Sequence, residues 1–259
     1  MGQVENVLGT LLIGIFFNTY LYGVVSFQYF SYFSSKIRDA FAMKAIVALL
    51  FANDTFQSAL VRNFVNPVFM NYITWPYAYV PIGTAITAVA THLPLASRIY
   101  FMSKKKWIFV LLLLGSLGSL GTGFALGVFV WTLKDIHRAD RLLKTLVTVW
   151  LGIQAALDVM LAVLSTMFLH NQGKGADQKT SSVINRLILG SVQAGVVPVL
   201  FGAAALATFY LFIMFVIPLG RTYTIAFVNG LNVREELKER LLGSQESADP
   251  VVVQDSLIQ

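Results

Sequence analysis

The sequence contains no cysteine, and only 12% of its 259 residues are charged. Without cysteine there is no disulfide bond, no thiolate metal site and no cysteine nucleophile. The low charge content argues against an ordinary soluble domain, in which about 25% of residues are charged. The three histidines, His92, His137 and His170, are too widely spaced to indicate a metal cluster. We therefore predict that the chain uses no metal and no cofactor.

Sequence motifs of several enzyme classes are also absent. There is no glycine-rich phosphate loop, no Ser-His-Asp set and no paired aspartate-rich motif of the kind found in isoprenoid enzymes. Asp54 has no second carboxylate within the next several residues, and Arg221 stands where a retinal Schiff base would need lysine. These absences disfavour an enzyme and exclude a retinal protein.

Seven long apolar segments dominate what is present, since 56% of the residues are hydrophobic. About 20 mostly apolar residues suffice for a helix to cross a hydrocarbon core of ~30 Å. The segments are 7–32, 42–65, 77–102, 107–131, 145–168, 183–205 and 208–231. The predicted fold is therefore all-α: a polytopic membrane protein with a seven-transmembrane-helix bundle over residues 1–231. We expect a short amphipathic cytoplasmic helix at 232–242 and a disordered tail at 243–259.

Basic residues alternate between the loops that join these segments. The first, third and fifth loops and the C-terminal segment contain lysine and arginine, whereas the second and sixth contain neither. The fourth loop departs from this pattern with Lys134, Arg138, Arg141 and Lys144, partly offset by Asp135 and Asp140. Because basic loops stay on the cytoplasmic side, we predict an outside N-terminus and a cytoplasmic C-terminus. The same loops explain the net charge of +6, so we predict no nucleic-acid partner.

The fourth segment contains a row of small residues at four-residue spacing: Gly115, Ser119, Gly123 and Gly127. Such a ridge lets another helix approach closely. We favour packing within the bundle over a homodimer face, because any multi-helix bundle needs such contacts. The oligomeric state stays open.

Three ionisable residues fall near the middle of predicted spans. Counted from the cytoplasmic end, Asp54 lies ~18 Å deep, and Asp158 and Arg221 each lie ~15 Å deep. A charge at that depth costs about 2.5–3.5 kcal/mol on insertion scales, so we expect the three to converge on one polar interior. Asn53 and Gln57 neighbour Asp54, and Gln154 lies one turn before Asp158. These six residues are the candidates for a ligand site or a polar network without a ligand; which aspartate pairs with Arg221 stays open.

Several stretches resemble a large family of seven-span proteins, abundant in basidiomycete fungi and catalogued only as a domain of unknown function. The matching stretches include residues 8–17, Asn53-Asp54-Thr55, Trp75-Pro76, residues 97–100, Ala156-Leu157-Asp158, residues 182–188 and residues 218–223. The run Phe227-Val228-Asn229-Gly230 departs from the family pattern. The resemblance implies the seven-span architecture and a fungal source, and it brings no activity.

Three functions are compatible with this architecture. The first is a receptor-like or sensor-like protein that binds a small molecule or lipid inside the bundle. The second is a small proton-coupled transporter that uses the midplane charges. The third is a membrane-embedded lipid or isoprenoid enzyme with Asp54 or Asp158 as a general acid. The lipid bilayer is the expected surrounding in each case, and the sequence does not distinguish the plasma membrane from an internal membrane.

Overall fold

The regular secondary structure of the described residues is entirely α-helical. A computed structural model of the chain describes residues 2–35, 39–62, 75–132, 140–173, 195–205, 207 and 212–246. The helices are α1 (Gly2–Ser34), α2 (Phe41–Arg62), α3 (Trp75–Ser103), α4 (Lys106–Thr132), α5 (Asp140–Gly173), α6 (Gly195–Ala205) and α7 (Phe212–Glu246). The predicted all-α class is confirmed.

Three of these helices are long and apolar enough to cross a membrane. The candidate spans are Ala78–Ser103 in α3, Lys106–Thr132 in α4 and Leu142–Asn171 in α5. α6 is a shorter apolar helix, and residues 183–194 of the predicted sixth span lie outside the described residues. Length and composition therefore make α3, α4 and α5 the clearest membrane-crossing elements.

A two-residue connection holds α3 and α4 side by side. Lys104 follows α3 with a positive φ of 55°, and its backbone N–H donates to the carbonyl of Tyr100 at 2.8 Å. This is the left-handed arrangement that commonly ends a helix and satisfies one of its last carbonyls. Because the chain reverses at once, α4 returns antiparallel along α3.

The small residues of α4 face its two neighbours. A Cβ added to Gly123 would lie 2.6 Å from the Cβ of Ala85, and one added to Gly127 would lie 2.7 Å from the carbonyl oxygen of Ala78. Gly115 packs against Leu157, and Ser119 hydrogen-bonds Gln154. All four ridge residues thus contact α3 or α5. On the opposite face, a Cβ added to Gly118 or Gly121 would meet nothing within 4 Å.

Polarity is inverted between the interior and the surface of the bundle. Arg221 and Asp54 are 0% exposed, whereas Phe27 is 72% and Leu114 62% exposed. The remaining buried polar side chains include asparagine, glutamine, threonine and histidine, and much of the exposed surface is phenylalanine, leucine and valine. Water would penalise this distribution, whereas hydrocarbon would stabilise it, because apolar side chains then cover the outside.

The last helix extends well past the last predicted span. α7 runs without interruption from Phe212 to Glu246, so the polar segment 232–242 continues it and does not form a separate helix. Residues 243–246 of the predicted tail also belong to α7, and 247–259 lie outside the described residues. Pro218 lies inside this helix.

Candidate functional site

Arg221 lies at the centre of the first polar cluster, between α1, α2 and α7. Its Nη1 donates to a carboxylate oxygen of Asp54, and its Nη2 donates to the backbone carbonyl of Asp54 at 2.6 Å. Nη2 also donates to Ser58 Oγ at 2.9 Å, and Nε donates to Asn18 Oδ1 at 3.1 Å. The guanidinium lies 5.4 Å from the ring centroid of Tyr22. The buried cation is therefore bound by partners on two other helices.

Asp54 is satisfied on both of its carboxylate oxygens. One faces Arg221, and the other accepts the hydroxyl of Tyr29 at 3.0 Å. A buried ion pair offsets its desolvation only when further hydrogen bonds satisfy its remaining polar atoms, and Tyr29, Ser58 and Asn18 supply such bonds here. We call Arg221, Asp54, Asn18, Ser58 and Tyr29 the arginine network.

The second aspartate belongs to a separate cluster between α3, α5 and α7. Asp158 Oδ1 lies 2.9 Å from Nε2 of His92, and Oδ2 accepts the hydroxyl of Tyr223. Both Asp158 and His92 are buried. We call His92, Asp158 and Tyr223 the histidine network.

The surroundings of His92 constrain where its protons lie. Ser116 Oγ donates to the carbonyl of Leu112 at 2.8 Å and lies 3.5 Å from His92 Nδ1. Ser116 can therefore accept a proton from Nδ1. Which of the two residues carries the proton between Nε2 and Asp158 depends on the tautomer and charge of His92.

One helix joins the two networks. Arg221 and Tyr223 are two residues apart on α7, and successive helical residues are rotated by about 100°, so their side chains leave the helix on nearly opposite sides. Arg221 therefore meets Asp54 while Tyr223 meets Asp158. Among the described contacts Arg221 pairs with Asp54 and gives no hydrogen bond to Asp158, which answers the question of pairing that the sequence left open.

The other predicted site residues are all buried beside these networks. Asn53 donates to the carbonyl of Gly83 at 3.1 Å and to Thr87 Oγ1 at 2.8 Å, and it accepts the hydroxyl of Tyr79 at 2.7 Å. Gln154 accepts the hydroxyl of Ser119. Asn53 thus links α2 to α3 by hydrogen bonds, and Gln154 links α5 to α4 in the same way.

Five buried polar side-chain atoms have no hydrogen-bond partner among the described residues. They are Gln28 Oε1, Gln57 Nε2, Thr84 Oγ1, Trp150 Nε1 and Gln154 Nε2. Most buried polar groups in proteins are hydrogen-bonded, so unpaired ones often mark bound water or a ligand. Within the described part of the chain, no group of three or more histidine, aspartate or glutamate residues could hold a metal ion.

Sequence reasoning did not identify His92, Tyr29 or Tyr223 as partners of the aspartates. His92 could have been found, because Thr84 and His92 lie eight residues apart and so share a polar face of α3. The tyrosines gave no comparable signal, since tyrosine is also common at lipid-facing positions of membrane helices.

Residues 154–236 match the model of a family of unknown function, DUF6534. The matched segment runs from Gln154 in α5 into α7, so it contains Asp158, Arg221 and Tyr223 and ends before the helix does. No curated protein and no solved structure matches the chain. The match agrees with the expected resemblance to a family without an assigned activity.

Proposed function

We propose that this chain is a seven-span integral membrane protein that binds a small molecule or lipid within its bundle and responds through α7, as a receptor or sensor does. The inverted polarity and the three apolar helices support a place in the membrane. The alternation of basic loops supports an outside N-terminus and a cytoplasmic C-terminus. A reporter active only in the cytoplasm, fused after Gln259, should be active; silence there, with activity from an N-terminal fusion, would contradict this orientation.

The observation that carries the proposal is the double attachment of α7. Arg221 holds this helix to Asp54 of α2, and Tyr223 holds it to Asp158 of α5. A rotation or shift of α7 changes both attachments at once. A helix held in this way has discrete packed arrangements, which a ligand can favour or disfavour.

A weak point in the α7 backbone lies beside these attachments. Pro218 has no N–H to donate to the carbonyl of Met214, and its ring disfavours a straight helix. Gly220 follows two residues later, between the proline and Arg221. This segment is therefore the natural bending point of α7.

The absence of cysteine makes a direct test practical. Spin labels at Asn229→Cys and Lys105→Cys, both at exposed positions, report the distance between α7 and the α3–α4 turn without interfering thiols. We expect one distance population in the parent protein and a second in Tyr223→Phe, which loses the bond to Asp158. Tyr20→Phe, at a 70% exposed tyrosine, is the matched control. A single population unchanged in every variant and lipid mixture would contradict a responding α7.

The histidine network favours a second candidate, a proton-coupled transporter. His92 and Asp158 share an exchangeable proton without changing their net charge, which suits a proton relay. In proteoliposomes with a trapped pH-sensitive dye, the parent should dissipate a pH gradient faster than His92→Gln. His170→Gln, at an exposed histidine, should behave like the parent. Equal rates in all three would remove this candidate.

The fungal and seven-span assignment extends the same proposal. We propose that the chain is one of the basidiomycete seven-span proteins that it resembles, and the family match over 154–236 supports this placement. The enzyme alternative receives less support. Both carboxyl groups are already engaged by protein donors, and a general acid must reach its substrate.

A further inference from the structure

We infer that Gln57 of α2, Thr84 of α3 and Gly220 of α7 form an internal binding site for a single uncharged hydroxyl group. The inference deepens the proposed function, on which it rests for the role of the ligand, because it names the site and the chemistry of the group bound there. We call these three residues the hydroxyl site.

Two unpaired polar atoms mark this place. Gln57 Nε2 and Thr84 Oγ1 have no hydrogen-bond partner, and their residues are 4% and 0% exposed. Leaving such groups unpaired costs free energy comparable to a lost hydrogen bond or more. Rotating the carboxamide of Gln57 does not resolve this, because Thr84 Oγ1 remains without a partner among the described atoms in either orientation. A further hydrogen-bonding group between them would satisfy both residues.

Two glycines on neighbouring helices create the space. A Cβ on Gly83 would collide with the carboxamide nitrogen of Gln57, so glycine there lets this side chain lie against the α3 backbone. A Cβ on Gly220 would lie 3.5 Å from Gln57 Oε1 and 3.5 Å from Thr84 Oγ1. The missing side chain of Gly220 therefore leaves room beside Gln57 Oε1 and Thr84 Oγ1, while Gln57 Nε2 lies on the side of Gly83.

The polar groups that border the gap favour a hydroxyl group as the bound group. The carboxamide of Gln57 presents Oε1 to the gap, or Nε2 if it is rotated, and Thr84 can donate or accept, so a group that both donates and accepts can satisfy either arrangement. The charges in the described interior are already compensated, Arg221 by Asp54 and Asp158 by His92. A charged group would add an unpaired charge at high desolvation cost. An uncharged hydroxyl, from water or from a hydroxylated small molecule, meets both requirements.

A photoreactive alcohol tests occupation by a small molecule. The full chain in nanodiscs is labelled with a diazirine-bearing octanol, and the modified residues are located by mass spectrometry. We expect label on α2, α3 and α7 near the hydroxyl site, blocked by excess octanol and not by octane. Thr84→Val keeps the shape and removes the hydroxyl, so it should weaken octanol competition about fivefold. Gly220→Ala should abolish the label, because its methyl group fills the gap without a clash, whereas Gly230→Ala, at a glycine of α7 with no neighbour within 4 Å, should not.

Thermal stability in the same nanodiscs tests occupation by water. If water alone occupies the gap, octanol does not label it, and Gly220→Ala displaces that water and lowers the melting temperature relative to Gly230→Ala. The loss should be smaller in a Thr84→Val background, where the water has already lost a partner. The inference is overturned if no label reaches the site and Gly220→Ala has the same effect in both backgrounds, or if octane competes as well as octanol.

These outcomes separate the site from the proposed response. Label at the hydroxyl site with unchanged spin-label distances would preserve the site and contradict a responding α7. Distances that change while neither label nor stability indicates an occupant would preserve the response and overturn the site.

Discussion

The arginine network and the histidine network each stabilise a buried aspartate, but they do so with different basic side chains. Each buries an aspartate completely inside the bundle, and each supplies that aspartate with a tyrosine hydroxyl and a basic side chain. In the first the base is Arg221, which keeps its charge under all ordinary conditions. In the second it is His92, which is charged only when protonated.

This difference indicates different roles for the two sides of α7. Arg221 has four hydrogen bonds to partners on α1 and α2 and cannot release a proton, so the arginine network behaves as a fixed anchor. The histidine network can move a proton between its members and still remain neutral. We therefore expect the α3–α5 side of α7 to change more easily than the α1–α2 side. Substitutions in both networks test this comparison, and one at Gly123 tests the helix packing beside them.

The largest effect should come from Arg221→Ala. Removing one partner of a buried ion pair typically costs ~3–5 kcal/mol, because the survivor keeps an unpaired buried charge. Combining it with Asp54→Asn should recover part of this loss in the free energy of unfolding, measured by denaturation in detergent. Asp158→Asn is the matched control and should recover nothing. Recovery by Asp158→Asn instead would mean that the two networks are not separate.

His92→Ala should cost less, about 1.5–3 kcal/mol, the range for a hydrogen bond to a charged group. The loss is limited because Asp158 can take up a proton and become neutral once its partner is gone. The same unfolding measurement, with exposed His170→Ala as control, checks the value. A loss as large as that of Arg221→Ala would mean that the histidine network is equally rigid.

Gly123→Leu should cost about 1–3 kcal/mol by overpacking the contact between α4 and α3. Its side chain would enter the space held by Ala85, close to the indole nitrogen of Trp150. Gly118→Leu makes the same exchange on the open face of α4 and should be nearly neutral. Equal stability of the two variants would show that Gly123 does not face protein.

The smallest effects should come from the tyrosines. Tyr29→Phe and Tyr223→Phe each remove one hydroxyl from an aspartate that keeps its basic partner, so we expect a loss of about 0.5–1.5 kcal/mol, the range for an ordinary hydrogen bond. We expect similar losses of stability but different consequences for motion, because only Tyr223 lies on α7. A spin-label distance that changes in Tyr29→Phe and not in Tyr223→Phe would reverse the assignment of the mobile side.

Much of the helical layout follows from patterns along the chain. The predicted spans 77–102, 107–131 and 145–168 lie within α3, α4 and α5, because long apolar runs leave few alternatives to a helix. The end of α7 was predicted less well. The predicted seventh span ends at 231, where the apolar run gives way to polar residues, but a change from apolar to polar side chains does not by itself end a helix, and no proline lies between Leu231 and Glu246. The helix continues to Glu246.

The sequence by itself determined which polar residues lie within the apolar segments, and the cost of exposing them to lipid makes the interior their expected place. Asp54, Asp158, Arg221 and Gln57 are all buried there. Position along a helix gives depth, which is similar for the three ionisable residues. It does not give the order of helices around the bundle, or the neighbour that each face meets. Only the tertiary structure decided that Arg221 pairs with Asp54, that His92 hydrogen-bonds Asp158, and that Gly220 leaves a gap beside Gln57 and Thr84.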